Sequence, residues 1–254
     1  MARILITGST DGLGMMAAEL LADSGHSVVL HARNEQRASA AEGFVCPQCW
    51  SQVQFIRAPF CDRCGRPYEG NITTSFVCSN CHDMKLYFSA ARSAVVARTA
   101  VLEVIHRFKY SRHLWFEPFL ADLLLREALP ALRGEKPFDA VIPVPLHPLK
   151  FREREFNQAE LLARHLAKAL NIPLENGVLK RVLPTLTQTR LSREQRATNT
   201  AGAFAVAERV SPAGKRFILV DDVLTTGATT NACARALRKA GAGEVRVWTV
   251  ARGL

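Results

Sequence analysis

The stretch that decides the fold runs from Lys215 to Ala242: KRFILVDDVLTTGATTNACARALRKAGA. RFILV is an apolar, β-rich run ending in two adjacent acids, Asp221 and Asp222. A turn of small residues follows: Thr225, Thr226, Gly227, Ala228 and Thr229. TNACARALRKAGA then has helical spacing and closes at Gly241. EVRVWTVAR, from Glu244 to Arg252, is a further strand. Strand ends in an open parallel sheet deliver their loops to the ligand crevice. A Thr/Gly turn running into a helix N-terminus offers backbone N–H groups and hydroxyls to a phosphate. Gly227 removes the side chain that would block close approach. Where the strand breaks into the loop, both carboxylates can reach one ligand. They suit vicinal hydroxyls, which donate to carboxylates, or Mg²⁺ held directly or through water.

FILVDDVLTTGAT resembles the phosphoribosyl-pyrophosphate (PRPP) signature of type I phosphoribosyltransferases. The resemblance implies that Asp221 and Asp222 contact the ribose 2′- and 3′-hydroxyls. It implies that Thr225, Thr226, Gly227, Ala228 and Thr229 cradle the 5′-phosphate.

Two upstream blocks agree. In FDAVIPVPLHPLKFREREFNQAELLARHLAKAL, DAVIPV is a buried strand and NQAELLARHLAKAL an amphipathic helix. Between them lie His147, Lys150, Arg152 and Arg154, basic groups that suit a second phosphate. Ile142–Pro145 is similar to the IPVP loop of glutamine-dependent PRPP amidotransferases. The second block, LKRVLPTLTQTRLSREQRATNTAGAF, holds Arg181, Thr187, Gln188, Leu191, Arg193, Arg196 and Asn199. It follows a strand-like stretch and reads as a mobile hood whose Arg193 and Arg196 clamp a diphosphate on closure. The plainer alternative is a solvated basic helix.

Six of the seven cysteines form three Cys-x-x-Cys pairs: Cys46/Cys49, Cys61/Cys64 and Cys78/Cys81. CDRCGRPY followed by CSNC is a zinc-ribbon pattern, because two such turns complete a tetrahedral S₄ site with no open position. The expected ligands are therefore Cys61, Cys64, Cys78 and Cys81, with a structural zinc. Cys46 and Cys49 are left over; they compete for that zinc, bind weakly, or are vestigial. No thioredoxin-like βαβ pattern surrounds them to favour redox chemistry. Cys233, alone in a helical pattern, reads as a small core residue.

The N-terminus carries a different signal. RILI, TGSTDGLG (Thr7–Gly14), LGMMAAELLADSG and HSVVLHAR read as strand, glycine turn, helix and strand. This resembles the start of short-chain dehydrogenases, in which Gly8, Gly12 and Gly14 would approach a pyrophosphate and Arg33 a 2′-phosphate. That family needs a Tyr-x-x-x-Lys pair, yet none of Tyr68, Tyr87 and Tyr110 has Lys four residues on. The resemblance ends near Gly43, and one βαβ unit cannot bury both faces of its sheet. The segment is therefore expected to be a leader dispensable for the chemistry.

At 254 residues, 48% hydrophobic and 22% charged, the chain can bury a core in one or two domains. No apolar run reaches the ~18 residues of a membrane span, and the start lacks signal-peptide features. A cytosolic location is the expectation. The net charge of +10 favours anionic partners without choosing among nucleic acid, phosphorylated metabolites and acidic surfaces.

From about residue 44 onward the chain resembles the ComF family of phosphoribosyltransferase-like proteins, which includes GntX-type members. Zinc knuckles, HRFKYSR, VPLHPLKFREREFNQA, the Gln/Arg lid and the PRPP loop follow the family order. The sequence departs twice. Glu155 stands where family members usually carry Gly before FNQA, and the leader replaces a further Cys-x-x-Cys pair, orphaning Cys46 and Cys49. The expected architecture is an α/β type I phosphoribosyltransferase-like domain (86–254), a mostly parallel sheet flanked by helices. A zinc-ribbon segment (44–85) and the leader (1–43) precede it. The resemblance implies PRPP with Mg²⁺ as ligand and a link to DNA uptake or nucleotide metabolism, with the acceptor open. The alternative is a non-catalytic DNA-processing accessory that senses PRPP and contacts single-stranded DNA or competence and recombination proteins.

Overall fold

The computed structural model describes residues 2–7, 12–31, 45, 47–70, 72, 74–182, 202–208 and 210–254. The chain divides into two compact units, Met1–Val53 and Gln54–Leu254.

The first unit contains β1 (Arg3–Thr7), α1 (Gly12–Asp23), β2 (Ser27–His31) and the single turn α2 (Pro47–Trp50). β1 and β2 pair in parallel, from Arg3 opposite Ser27 to Thr7 opposite His31. Gly25 at φ +80° turns the chain out of α1, where L-residues with a Cβ are disfavoured. Two strands make a small sheet, and Leu5 and Leu20 remain exposed. Gly8, Arg33 and Cys46 lie outside the described residues.

The second unit follows with α3 (Ser79–His82), β3 (Ala90–Val96), α4 (Thr99–Tyr110), a 3₁₀ turn (Leu114–Phe116) and α5 (Glu117–Leu132). Then come β4 (Ala140–Pro143), α6 (Pro148–Arg154), α7 (Gln158–Leu170), β5 (Leu179–Arg181) and β6 (Phe204–Val206). The last elements are β7 (Arg216–Leu224), α8 (Ala228–Lys239) and β8 (Glu244–Arg252). The main sheet has the order β3-β8-β7-β4, and every pair is parallel. Parallel sheets are covered on both faces, so their strands read as unbroken apolar runs. Phe217, Ile218, Leu219 and Val220 of β7 are accordingly all buried. Helix α7 turns Leu162, Ala163 and Leu166 inward, and α8 does the same with Cys233, Ala234 and Leu237. Each fully buried Leu contributes about 1.5–3 kcal/mol relative to exposure. Cys233 is thus the core residue its helical setting suggested.

β5 and β6 form a separate antiparallel pair, Leu179 opposite Val206 and Arg181 opposite Phe204. The expected lid falls between these strands, so Thr187, Gln188, Leu191, Arg193, Arg196 and Asn199 lie outside the described residues. On the far edge, Gln54–Ile56 runs along β3: Ile56 N–H donates to Ala94 O (2.9 Å) and Val96 N–H to Gln54 O (2.9 Å). This contact covers part of an otherwise open strand edge.

Candidate functional site

β4 and β7 are neighbours, and Pro143 sits opposite Val220. The loops that leave their carboxyl ends are therefore side by side, as open α/β sheets place ligand crevices. A cavity of about 410 Å³ opens there. Asp221, Asp222, Thr225, Gly227, Ala228 and Thr229 all line it, together with Lys150, Arg154 and Arg181. The two sequence-predicted phosphate blocks thus meet in one place.

The acidic pair lies along the backbone of its own strand. Asp222 N–H donates to Asp221 Oδ1 (2.9 Å), and Val223 N–H donates to Asp222 Oδ1 (2.7 Å). Asp222 is buried, and its Oδ2 pairs with Lys109 Nζ at 2.7 Å. Burial pushes the Asp221 carboxyl up, and the Asp222 charge adds to it, bringing Asp221 to about 7. One acid of the pair therefore holds its proton until near neutrality.

The phosphate loop is shaped by Gly227 at φ +77°, the N-cap of α8. Ala228 N–H donates to the Thr226 hydroxyl (3.4 Å), and the Thr230 hydroxyl donates to Gly227 O (3.1 Å). α8 is twelve residues long, so the positive end of its dipole and its N-terminal N–H groups lie at this loop. Thr226 itself lines a smaller cavity on the other side of the loop.

The basic residues of the β4 loop divide. Lys150 and Arg154 line the main cavity. Arg154 also lies 5.0 Å over the Tyr110 ring. His147 instead caps α6, its Nδ1 accepting from Leu149 N–H at 3.3 Å. Arg152 is exposed on α6, and neither it nor His147 is among the lining residues. Helical geometry accounts for the split, because positions 150 and 154 are four apart and share a face that position 152 does not. Asn157 holds the loop in place. Its Oδ1 accepts from Ala159 N–H (3.1 Å) to cap α7, and its Nδ2 donates to Val144 O (3.1 Å).

Two lining residues had no role in the sequence reading. Lys109 belongs to the quoted HRFKYSR stretch, on the last turn of α4, and reaches Asp222 only through the fold. Gln158 was quoted within FNQA. It is only 5% exposed, and its Oε1 has no hydrogen-bond partner. A buried acceptor left unpaired costs roughly 1–3 kcal/mol, which a donor on a ligand would recover.

The metal pattern is equally compact. Cys61, Cys64, Cys78 and Cys81 bring their sulfurs within 4.8 Å of one another. Cys64 Sγ and Cys78 Sγ are 3.8 Å apart. Two thiolates at about 2.3 Å from a tetrahedral zinc are separated by about that distance. Burial raises Cys61, but backbone N–H bonds from Cys78, Cys64 and Arg63 outweigh it and bring the thiol to about 7. Burial and the neighbouring sulfurs hold Cys81 far above an ordinary thiol. Four such groups ionise together only around a cation, so the set fits structural zinc. Gly65 lets this knuckle lie against the sheet. It sits at φ +66°, and a Cβ there would fall 2.6 Å from Ala91 O. Cys49 lies in α2 of the first unit.

Parallel strand order, crevice position, acidic pair and Thr/Gly helix cap together define a phosphoribosyltransferase fold that carries a zinc ribbon. Comparison with known proteins agrees. Residues 35–82 match the double zinc ribbon domain, and residues 157–254 match the phosphoribosyl transferase domain. Competence protein F of Haemophilus influenzae is 35% identical over 218 residues, 84% of this chain and 92% of that protein. DNA utilization protein YhgH of Salmonella typhimurium is 32% identical over 212 residues, 83% and 91% respectively. Competence protein ComFC of Bacillus subtilis is 28% identical over 222 residues, 82% and 84%. The chain belongs to the ComF family. Among the described residues no helix is long and apolar enough to cross a membrane.

Proposed function

We propose that the main cavity binds PRPP with Mg²⁺. The observation that carries this reading is the convergence of Asp221, Asp222, Thr225, Gly227, Ala228 and Thr229 on one cavity that Lys150, Arg154 and Arg181 also line. Asp221 and Asp222 accept from the ribose hydroxyls, while the loop and the α8 N-terminus hold the 5′-phosphate. Lys150 and Arg154 face the diphosphate; Arg193 and Arg196, which lie outside the described residues, are the further diphosphate contacts that the family resemblance implies. Bound Mg²⁺ supplies positive charge to the departing diphosphate. Lys109 has a preparatory role: its ion pair holds the Asp222 carboxylate in position while the site is open. Transfer to an acceptor would pass through an oxocarbenium-like state at the sugar C1, stabilised mainly by electrostatics.

Two relatives carry names that refer to competence and one a name that refers to DNA utilization, which supports a role for this chain in DNA uptake. Under the sensor reading, PRPP binds without transfer and the +10 charge serves nucleic-acid contact. Ligand-dependent melting separates the possibilities, because a ligand that binds the folded state raises Tm. PRPP–Mg²⁺ is expected to raise Tm and NADPH to leave it unchanged. A rise with NADPH and none with PRPP–Mg²⁺ would contradict the proposal. Single-stranded DNA raising Tm, with no diphosphate release from bound PRPP, would select the sensor.

A further inference from the structure

The cysteine cluster and the phosphate loop meet through one side chain that neither the metal nor the ligand reading uses. Arg252 ends β8, in register with Leu224 at the end of β7. It is 6% exposed. Its Nη1 donates to the carbonyls of Leu224 (2.8 Å), Thr225 and Gly253 (2.6 Å). Its Nη2 faces Cys64 Sγ at 4.0 Å. A cavity of about 310 Å³ lies between the two sites, bounded by Cys64, Cys81, Thr225, Thr226 and Gly227 as well as Arg252. A second tie runs in parallel, from the chain that leaves Cys81. Asn231, in the first turn of α8, donates through Nδ2 to Lys85 O (3.0 Å) and accepts at Oδ1 from Tyr87 N–H (2.8 Å).

We propose that Arg252 is a positioning residue that couples zinc in the four-cysteine cluster to the shape of the phosphate loop, so that metal loading raises the loop's affinity for a sugar phosphate. The ligand half rests on the PRPP reading above; the coupling itself does not. Four thiolates around Zn²⁺ carry a net charge of −2, and the buried guanidinium supplies a counter-charge 4.0 Å from one of them. Loss of the metal frees the four sulfurs from a common centre and removes that anchor. The carbonyl end matters for a separate reason. In a trans peptide the C=O and the following N–H point opposite ways. Holding the carbonyls of Leu224 and Thr225 toward Arg252 therefore turns the N–H groups of Thr225 and Thr226 to the other side of the loop. Those are donors a phosphate needs, and they are set before the ligand arrives. By linkage, a ligand that prefers the ordered loop must in turn tighten zinc.

The test uses the full chain as wild type, Arg252→Gln and Arg252→Lys, each zinc-loaded and zinc-stripped. Hydrogen exchange at amides 224–229 reads the coupling without any ligand, and the amides of β4 and α7 report global unfolding. Stripping the wild type is expected to speed exchange of the loop about tenfold or more while β4 and α7 stay protected. Zinc-loaded Arg252→Gln should already exchange at the stripped rate, and Arg252→Lys, which keeps the charge, should recover part of the protection. If stripping unfolds β4 and α7 as well, the zinc-loaded Gln and Lys variants decide. A loop indifferent to stripping in an otherwise folded wild type, or fully protected in zinc-loaded Arg252→Gln, overturns the coupling. PRPP–Mg²⁺ is then added: it should slow zinc transfer to a chelator in the wild type and not in Arg252→Gln. Ligand-free coupling as expected, with no calorimetric PRPP binding to the wild type, retains the coupling and overturns the ligand reading. PRPP that binds the wild type but leaves its zinc transfer unchanged overturns the affinity half of the proposal.

Discussion

Glu155 stands at φ +67°, the left-handed conformation that closes α6, and its exposed carboxylate pairs with Arg112 Nη1 at 2.9 Å. It faces Arg112 rather than the cavity, so its charge does not meet the proposed diphosphate. A non-glycine residue held there costs about 1–2 kcal/mol, more than an exposed ion pair typically returns. Glu155→Gly is therefore expected to leave PRPP affinity unchanged and Tm equal or slightly raised in a melting experiment. Asp221 gives a prediction with a pH sign. Its folded pKa, about 7, lies above the ordinary carboxylate value, so its stability contribution is full below pH ~4. That contribution is lost as the pH rises through about 7. Asp221→Asn, permanently neutral, should melt higher than wild type at pH 8, with the gap closing toward pH 5. A gap that widens on acidification would contradict the burial argument. Both acids were legible in the sequence because strand, acids and turn are contiguous. Lys109 was not, because its ion pair joins segments far apart in the chain and only the packing of α4 against the sheet end brings them together.

At the scale of elements, periodicity located β7, α8, α7 and β4 closely, since each buries a continuous or helically spaced apolar set. The division of the basic β4 loop escaped it. A loop in the sequence reading, Pro148–Arg154, is a helix in the fold, so alternate basic residues diverge. The attachment of the zinc knuckle to β3 was likewise hidden, because it depends on Gly65 lying against Ala91. Ala91 N–H donates to Arg63 O at 2.8 Å, which makes the knuckle an extension of the sheet edge. Gly65→Ala combines a left-handed strain of about 1–2 kcal/mol with a backbone clash. It should lower zinc per chain after dialysis and reduce Tm by several degrees, whereas Gly134→Ala, with open space around it, should do neither. Equal zinc retention in both variants would contradict the packing.

At the scale of the molecule, the two units carry separable expectations. The sheet, the cavity and the four-cysteine cluster all belong to Gln54–Leu254. A fragment of those residues is expected to fold cooperatively, hold one zinc and bind PRPP as the full chain does. Micromolar NADPH binding by the full chain, lost in the fragment, would instead make the leader a working nucleotide site. Net charge alone left the partner undefined; the placement of Lys150, Arg154 and Arg181 around the cavity of the acidic pair is what supports the proposed sugar-phosphate ligand, and composition does not carry that placement. The measurement that bears most directly on the central claim is a calorimetric titration of PRPP–Mg²⁺ into the wild type and into Asp221→Asn/Asp222→Asn. The account predicts saturable binding by the wild type and at least about a tenfold loss in the folded double variant, as removal of two hydrogen-bonding carboxylates requires. Wild-type affinity in the double variant, or no binding by the wild type, would contradict it.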